Sequence, residues 1–182
     1  MLDKQKKIGV IAGTPIDTKM GIEFANKKGC EAVGFPTASG PKEQNLLQFM
    51  RPDSLMEKVI DIIRRLEDQN IFRTMIYCNS LSAAVNLDHI RQVCPKTRLV
   101  TPLDIYKKIA INYNSLMIWA ANGQCLETIE KIFYDANPSI HIMGISMLPV
   151  IYDIENQQPA DLIVKRYNLA GFLTFEAKLE GL

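Results

Sequence analysis

Short apolar runs alternate with longer stretches of helical period along nearly all of the chain. Residues 7–12 (KIGVIA) have the length of a buried strand, and a turn rich in hydroxyls follows at Gly13-Thr14-Pro15-Ile16-Asp17-Thr18. Met20, Phe24 and Ala25 then recur at helical spacing, with Gly29 as a left-handed stop. A second strand is predicted over 31–35, and a polar loop bounded by prolines over 36–41. Leu55, Val59, Ile60, Ile63 and Leu66 make one apolar face, so a helix is predicted over 53–69, opened by a Ser54/Glu57 capping box. A third strand follows in Thr74-Met75-Ile76-Tyr77, and a helix then runs to about Val93.

Pro95-Lys96-Thr97 breaks this pattern, and the order then begins again. Strands are predicted over 98–101, 116–121 and 140–146, and helices over 103–112 and around Leu126, Ile129 and Phe133. A less regular stretch follows Pro149. Pro159, as a first-turn residue, opens a long helix to about Glu180, with Gly181 as its cap. Such alternation implies an α/β fold with parallel sheets. Each half holds about three strand–helix units, which divides the chain into residues 1–96 and 97–182.

Composition narrows the function. The 182 residues carry a net charge of +1, with Lys and Arg scattered among Asp and Glu. There is neither a basic stripe nor an RNA-binding aromatic motif, so no nucleic-acid partner is expected. No apolar run spans a bilayer and no signal peptide opens the chain, so the expectation is a cytoplasmic protein with no membrane partner. Cys30, Cys78, Cys94 and Cys125 are dispersed, without CxxC or Cys/His clustering, and read as free thiols rather than disulfides or a metal site. Gly9-Val10-Ile11-Ala12-Gly13 has too few glycines for a dinucleotide fingerprint.

The candidate chemistry gathers where strands end. Cys78-Asn79-Ser80 closes the third strand and opens a helix, at the carboxyl edge where open α/β sheets bind ligands. There the helix dipole would lower the thiol pKa from about 8.5 toward neutrality. A packed thiol acting as a small hydrophobe is the competing reading. Asn79 and Ser80 offer a carboxylate side-chain and backbone donors. Thr14, Asp17 and Thr18 lie on the same rim, as substrate ligands or, in the case of Asp17 or Thr18, as a helix cap. Ser39, Gly40 and Lys42 follow the second strand. Thr101 and Asn122 follow the fourth and fifth, where turn or cap chemistry explains them equally well. His89 is too far along its helix to act as a base for Cys78, and His141 falls within a strand.

These rim motifs together resemble the aspartate/glutamate racemase superfamily. Residues 8–18 look like its opening strand and turn, closest to the aspartate-racemase form GGMGPxAT. Tyr77-Cys78-Asn79-Ser80-Leu81-Ser82-Ala83 looks like the first cysteine motif, ACNTAS/A. Val100-Thr101-Pro102-Leu103 is similar to the start of the second half, and residues 147–155 to a VxxIE segment. The resemblance implies two pseudo-symmetric three-layer α/β lobes and a cofactor-independent, metal-free isomerase. A small acidic amino acid or related carboxylate would lie between the lobes, flanked by one cysteine from each. Cys78 would be one acid/base group, with Thr14, Thr18, Asn79 and Ser80 holding the substrate.

The family's second cysteine motif, Gly-Cys-Thr, has no counterpart. One alignment sets Ile145 at its position, and another places the motif beyond Leu182. The second-lobe ATxGT turn appears as Ala120-Ala121-Asn122-Gly123-Gln124. The expectation is therefore a racemase-like chain whose second lobe is shortened at the C-terminus, with dimerisation or instability expected from the exposed sheet edge and apolar surface. A binding module without turnover, and a one-cysteine isomerase or decarboxylase, are the alternatives.

Overall fold

The computed structural model describes residues 6–179, with side chains as far as residue 174. Its elements run β1 (Lys6–Ala12), α1 (Pro15–Lys27), β2 (Cys30–Pro36), α2 (Pro41–Met50), α3 (Pro52–Asp68), β3 (Arg73–Ile76), α4 (Asn79–Ala84), α5 (Leu87–Val93), β4 (Arg98–Val100) and α6 (Pro102–Ile109). A 3₁₀ turn (Ala110–Asn112) leads into β5 (Ser115–Ala120), α7 (Gly123–Ala136), β6 (His141–Ser146), α8 (Leu148–Glu155), α9 (Ala160–Arg166) and α10 (Leu169–Leu179). The fold is α/β with parallel sheets, as the alternation predicts. The chain forms two compact units that divide after Ile105.

In the first unit four parallel strands lie in the order β2-β1-β3-β4. The order reverses between β1 and β3, and in such a sheet that switch point opens a crevice beyond the carboxyl ends of the two strands. β4 belongs to this sheet and pairs with β3 from Arg73↔Arg98 to Met75↔Val100. The core lies under α3, whose Leu55, Val59, Ile63 and Leu66 are buried against Ile11, Ile76, Leu81 and Ile90. The helical period finds that face correctly. The start differs: Pro52 sits in the first turn after Arg51, and no side-chain cap forms, so the Ser54/Glu57 box is absent. On α1 the buried face is Thr18, Gly21 and Ala25, while Met20 and Phe24 are exposed. Small residues bring that helix onto the sheet, and Phe24 instead packs on Tyr77 with ring centroids 5.9 Å apart. Gly29 takes the expected left-handed conformation, at φ 78°.

In the second unit β5 and β6 pair in parallel from Ser115↔His141 to Ala120↔Ser146. From α7, Cys125, Ile129 and Phe133 are buried. The rings of Tyr106 and Tyr113 lie 6.0 and 6.3 Å from Phe133. The stretch after Pro149, read as less regular, is α8, with proline in its first turn. The long helix predicted from Pro159 is two helices, because Asn168 enters the left-handed region at φ 48° between α9 and α10. The predicted end near Glu180 and the Gly181 cap lie outside the described residues.

Candidate functional site

β3 carries the chain out of the core to Tyr77, whose N–H still bonds to the Ile11 carbonyl at 2.7 Å. Cys78 follows in an extended conformation (φ −161°, ψ 123°) as the N-cap of α4, and its sulfur accepts from the Leu81 N–H at 3.5 Å. The predicted helix to Val93 is broken here. α4 ends after one and a half turns, and Asn86 caps α5 by accepting from the His89 N–H at 3.0 Å.

Beside it, at the end of β1, Thr14 is fully buried and caps α1, accepting from the Asp17 N–H at 3.2 Å. The cap is thus Thr14 rather than Asp17 or Thr18. The Thr18 hydroxyl donates back to the Thr14 carbonyl at 2.7 Å. Beyond β2, Thr37 and Ala38 bond to Ala12 and Gly13 and so prolong the β1–β2 pairing. Ser39 is exposed and bound through its N–H and hydroxyl to the Glu43 carboxylate. Those two donors, the hydroxyl first, and the Lys58 charge hold the Glu43 carboxyl below its ordinary range. The Lys58 ammonium donates to the Thr37 carbonyl at 2.5 Å.

Sequence pattern does not point to α2, yet α2 completes the site. Gln44 donates from Nε2 to Cys78 Sγ at 3.4 Å and to Ser80 Oγ at 3.0 Å. One turn on, Gln48 is 1% exposed and donates from Nε2 to the same Ser80 oxygen at 3.1 Å. The Ser80 oxygen lies 3.4 Å from Cys78 Sγ. Leu46, Phe49 and Met50 on the same helix are 57%, 54% and 72% exposed. This helix therefore turns both amides inward and three of its four large apolar side chains outward, while Leu47 packs on the core. The available signal is the i, i+4 spacing of the two glutamines, which puts both on one face.

The thiol departs from expectation. Burial first, and then the negative charge of Asp17, raise the Cys78 pKa above the ordinary thiol range. Hydrogen bonds from Ser80, Leu81 and Gly13 act in the opposite direction. A six-residue helix supplies little dipole, so desolvation wins. By surface area Cys78 is only half-buried, so the sulfur is the deeply placed part of a residue that still reaches the rim.

The remaining candidates serve in other roles. Asn79 opens α4 with its Oδ1 buried and without a donor. Thr101 is consumed in a reciprocal cap with Asp104, which accepts from its N–H at 2.8 Å and its hydroxyl at 2.9 Å and also takes both contacts from Arg91. Asn122 belongs to the second unit and caps α7, accepting from the Cys125 N–H at 2.9 Å. Lys42 is exposed. Cys94 is a buried core thiol, and Cys30 lies at the opposite end of the sheet, where β2 begins. His141 is exposed at the start of β6. Among the described residues no three His, Cys, Asp or Glu side chains gather to hold a metal ion, and no helix is long and apolar enough to cross a membrane.

No model of a known protein family matches the sequence, and no curated protein matches it. Solved structures do match in fold. Glutamate racemase from Francisella tularensis, in complex with D-glutamate, superposes with a TM-score of 0.65 at 15% identity, over 84% of this chain and 56% of that one. Aspartate racemase from Picrophilus torridus gives 0.63 at 13% identity, over 88% and 72%. A mutant arylmalonate decarboxylase in a sulfate-associated form gives 0.54 at 15% identity, over 87% and 70%. The chain thus spans little more than half the length of the Francisella enzyme. These matches agree on one architecture: the chain shares the fold of solved glutamate and aspartate racemases and of an arylmalonate decarboxylase.

Proposed function

We propose that the chain is a cofactor-independent, racemase-like protein that binds a small acidic amino acid on the rim of the first sheet and exchanges its α-proton through Cys78. One observation carries this reading. The Cys78 sulfur stands at the β1/β3 switch point among hydrogen-bond donors, in a fold shared with solved glutamate and aspartate racemases. As thiolate, Cys78 removes the Cα proton, forming an S–H bond and leaving a carbanion. The S–H then exchanges its proton with solvent, and return of a solvent-derived proton from the same sulfur completes exchange on one face; inversion needs a second acid. Asn79 Oδ1, buried without a donor, is the natural acceptor for the substrate ammonium, since such an atom left unpaired costs about 1–3 kcal/mol. Thr14, Asp17, Thr18 and Ser39 form the rest of the rim. Thr101 and Asn122 serve as caps, as Thr14 does.

The test is deuterium wash-in at Cα of L- and D-aspartate and L- and D-glutamate in D₂O, followed by NMR. The expected outcome is exchange that is lost in Cys78→Ala. Exchange that survives in Cys78→Ala removes the thiol from the reaction. A second reading, binding without turnover, is favoured by the burial that keeps the Cys78 proton in place. Saturable binding by calorimetry with no wash-in supports that reading against the first.

A further inference from the structure

We propose that Gln44 and Gln48 are positioning residues that fix the Ser80 hydroxyl as a proton donor to Cys78 Sγ and so build a cage for the thiolate. This deepens the reading of Cys78 as the proton-transferring group and rests on it. The argument is one of counting. A serine oxygen has two lone pairs and one hydrogen. Both lone pairs of Ser80 face amide donors, Gln44 Nε2 at 3.0 Å and Gln48 Nε2 at 3.1 Å. Only the hydrogen is left, and Cys78 Sγ lies 3.4 Å away. The second hydrogen of the Gln44 amide reaches the same sulfur, also at 3.4 Å.

With the Leu81 N–H at 3.5 Å and the Gly13 N–H, four donors then converge on one sulfur. A thiolate accepts from all of them, whereas a thiol must send its own hydrogen elsewhere. The cage thus works against desolvation and against Asp17, which acts on the sulfur from α1. From the other elements around the site, Glu43 on α2 is engaged with Ser39, and Lys58 on α3 with the Thr37 carbonyl. Gln48 donates to the Ser80 oxygen at 3.1 Å, and we route its effect on Cys78 through that oxygen.

The test is the pH profile of Cys78 alkylation by iodoacetamide, read at the Cys78 peptide by mass spectrometry without substrate. Gln48→Met keeps the volume and removes the donor. It is expected to raise the Cys78 pKa by up to about one unit, slowing alkylation up to about tenfold at a fixed pH below the titration. Ser80→Ala should shift it at least as far, and adding Gln48→Met to Ser80→Ala should shift it no further. Circular dichroism confirms that each variant is folded, and a melted Gln48→Met is replaced by Gln48→Leu. An unmoved profile in the folded glutamine variant overturns the proposal, as does an equal shift with and without the Ser80 hydroxyl. Because no substrate is present, failure of Cα wash-in leaves this result standing, and a failed pH shift leaves wash-in standing.

Discussion

Gly13→Ala separates the cage from the thiol it surrounds. A Cβ at residue 13 would lie 2.1 Å from Gln44 Nε2, 2.3 Å from its Cδ and 2.6 Å from its Oε1. All three atoms belong to the end of a flexible side chain, so the amide must swing away. The backbone has no comparable objection, because the left-handed glycine is Gly29 and residue 13 keeps its N–H. The amide gives up two bonds, at 3.4 and 3.0 Å, each worth about 0.5–1.5 kcal/mol. Restricting the unfolded chain returns about 0.4–1 kcal/mol, leaving a net loss between about 0 and 2.6 kcal/mol. Urea unfolding reads that loss, and alkylation at several pH values reads a Cys78 titration displaced upward. A folded alanine variant whose Cys78 titrates as before would show that the Gln44 amide does not act on the sulfur.

Two further outcomes follow from packing and charge. Leu66→Ala empties the position over Gly9, where a Cβ would lie 2.3 Å from Leu66 Cδ1, and should cost about 2–5 kcal/mol, seen as a lower urea midpoint at an unchanged slope. Stability should also fall on the alkaline side. Cys78 and Cys94 both have pKa values raised in the folded state by burial, so the unfolded chain releases their protons first. The folded state is therefore undiminished below the ordinary thiol range and loses stability as pH climbs from there through the folded values. Cys78→Ala should flatten part of that slope, and an unchanged slope would contradict the assigned direction.

What the sequence discloses tracks how local the cause is. The α3 face is legible because five apolar residues repeat at one period and all point into one core. The rim of Thr14 and Cys78 is legible because strand ends carry polar residues there. Three features are hidden for physical reasons. The break between α4 and α5 depends on an Asn86 cap, with no proline or glycine to announce it. The break at Asn168 uses the tolerance of asparagine for left-handed backbone. Most of all, α2 escapes because hydrophobicity alone would bury Leu46, Phe49 and Met50 and expose the two glutamines, with only Leu47 placed as expected. Only the tertiary position of Ser80 and Cys78 explains why amides are buried at 44 and 48.

The inverted α2 also has a consequence for anyone who would improve the protein. A stability-minded redesign would replace Gln44 and Gln48 with leucine and make Leu46, Phe49 and Met50 charged, since each change agrees with the burial it meets. The product should be more soluble and harder to unfold. It would also have taken the Gln44 donor from the sulfur and both amides from the Ser80 hydroxyl beside it. In this helix local frustration marks the place where robustness and reactivity compete for the same positions, so tolerance to such substitutions measures which of the two has been selected.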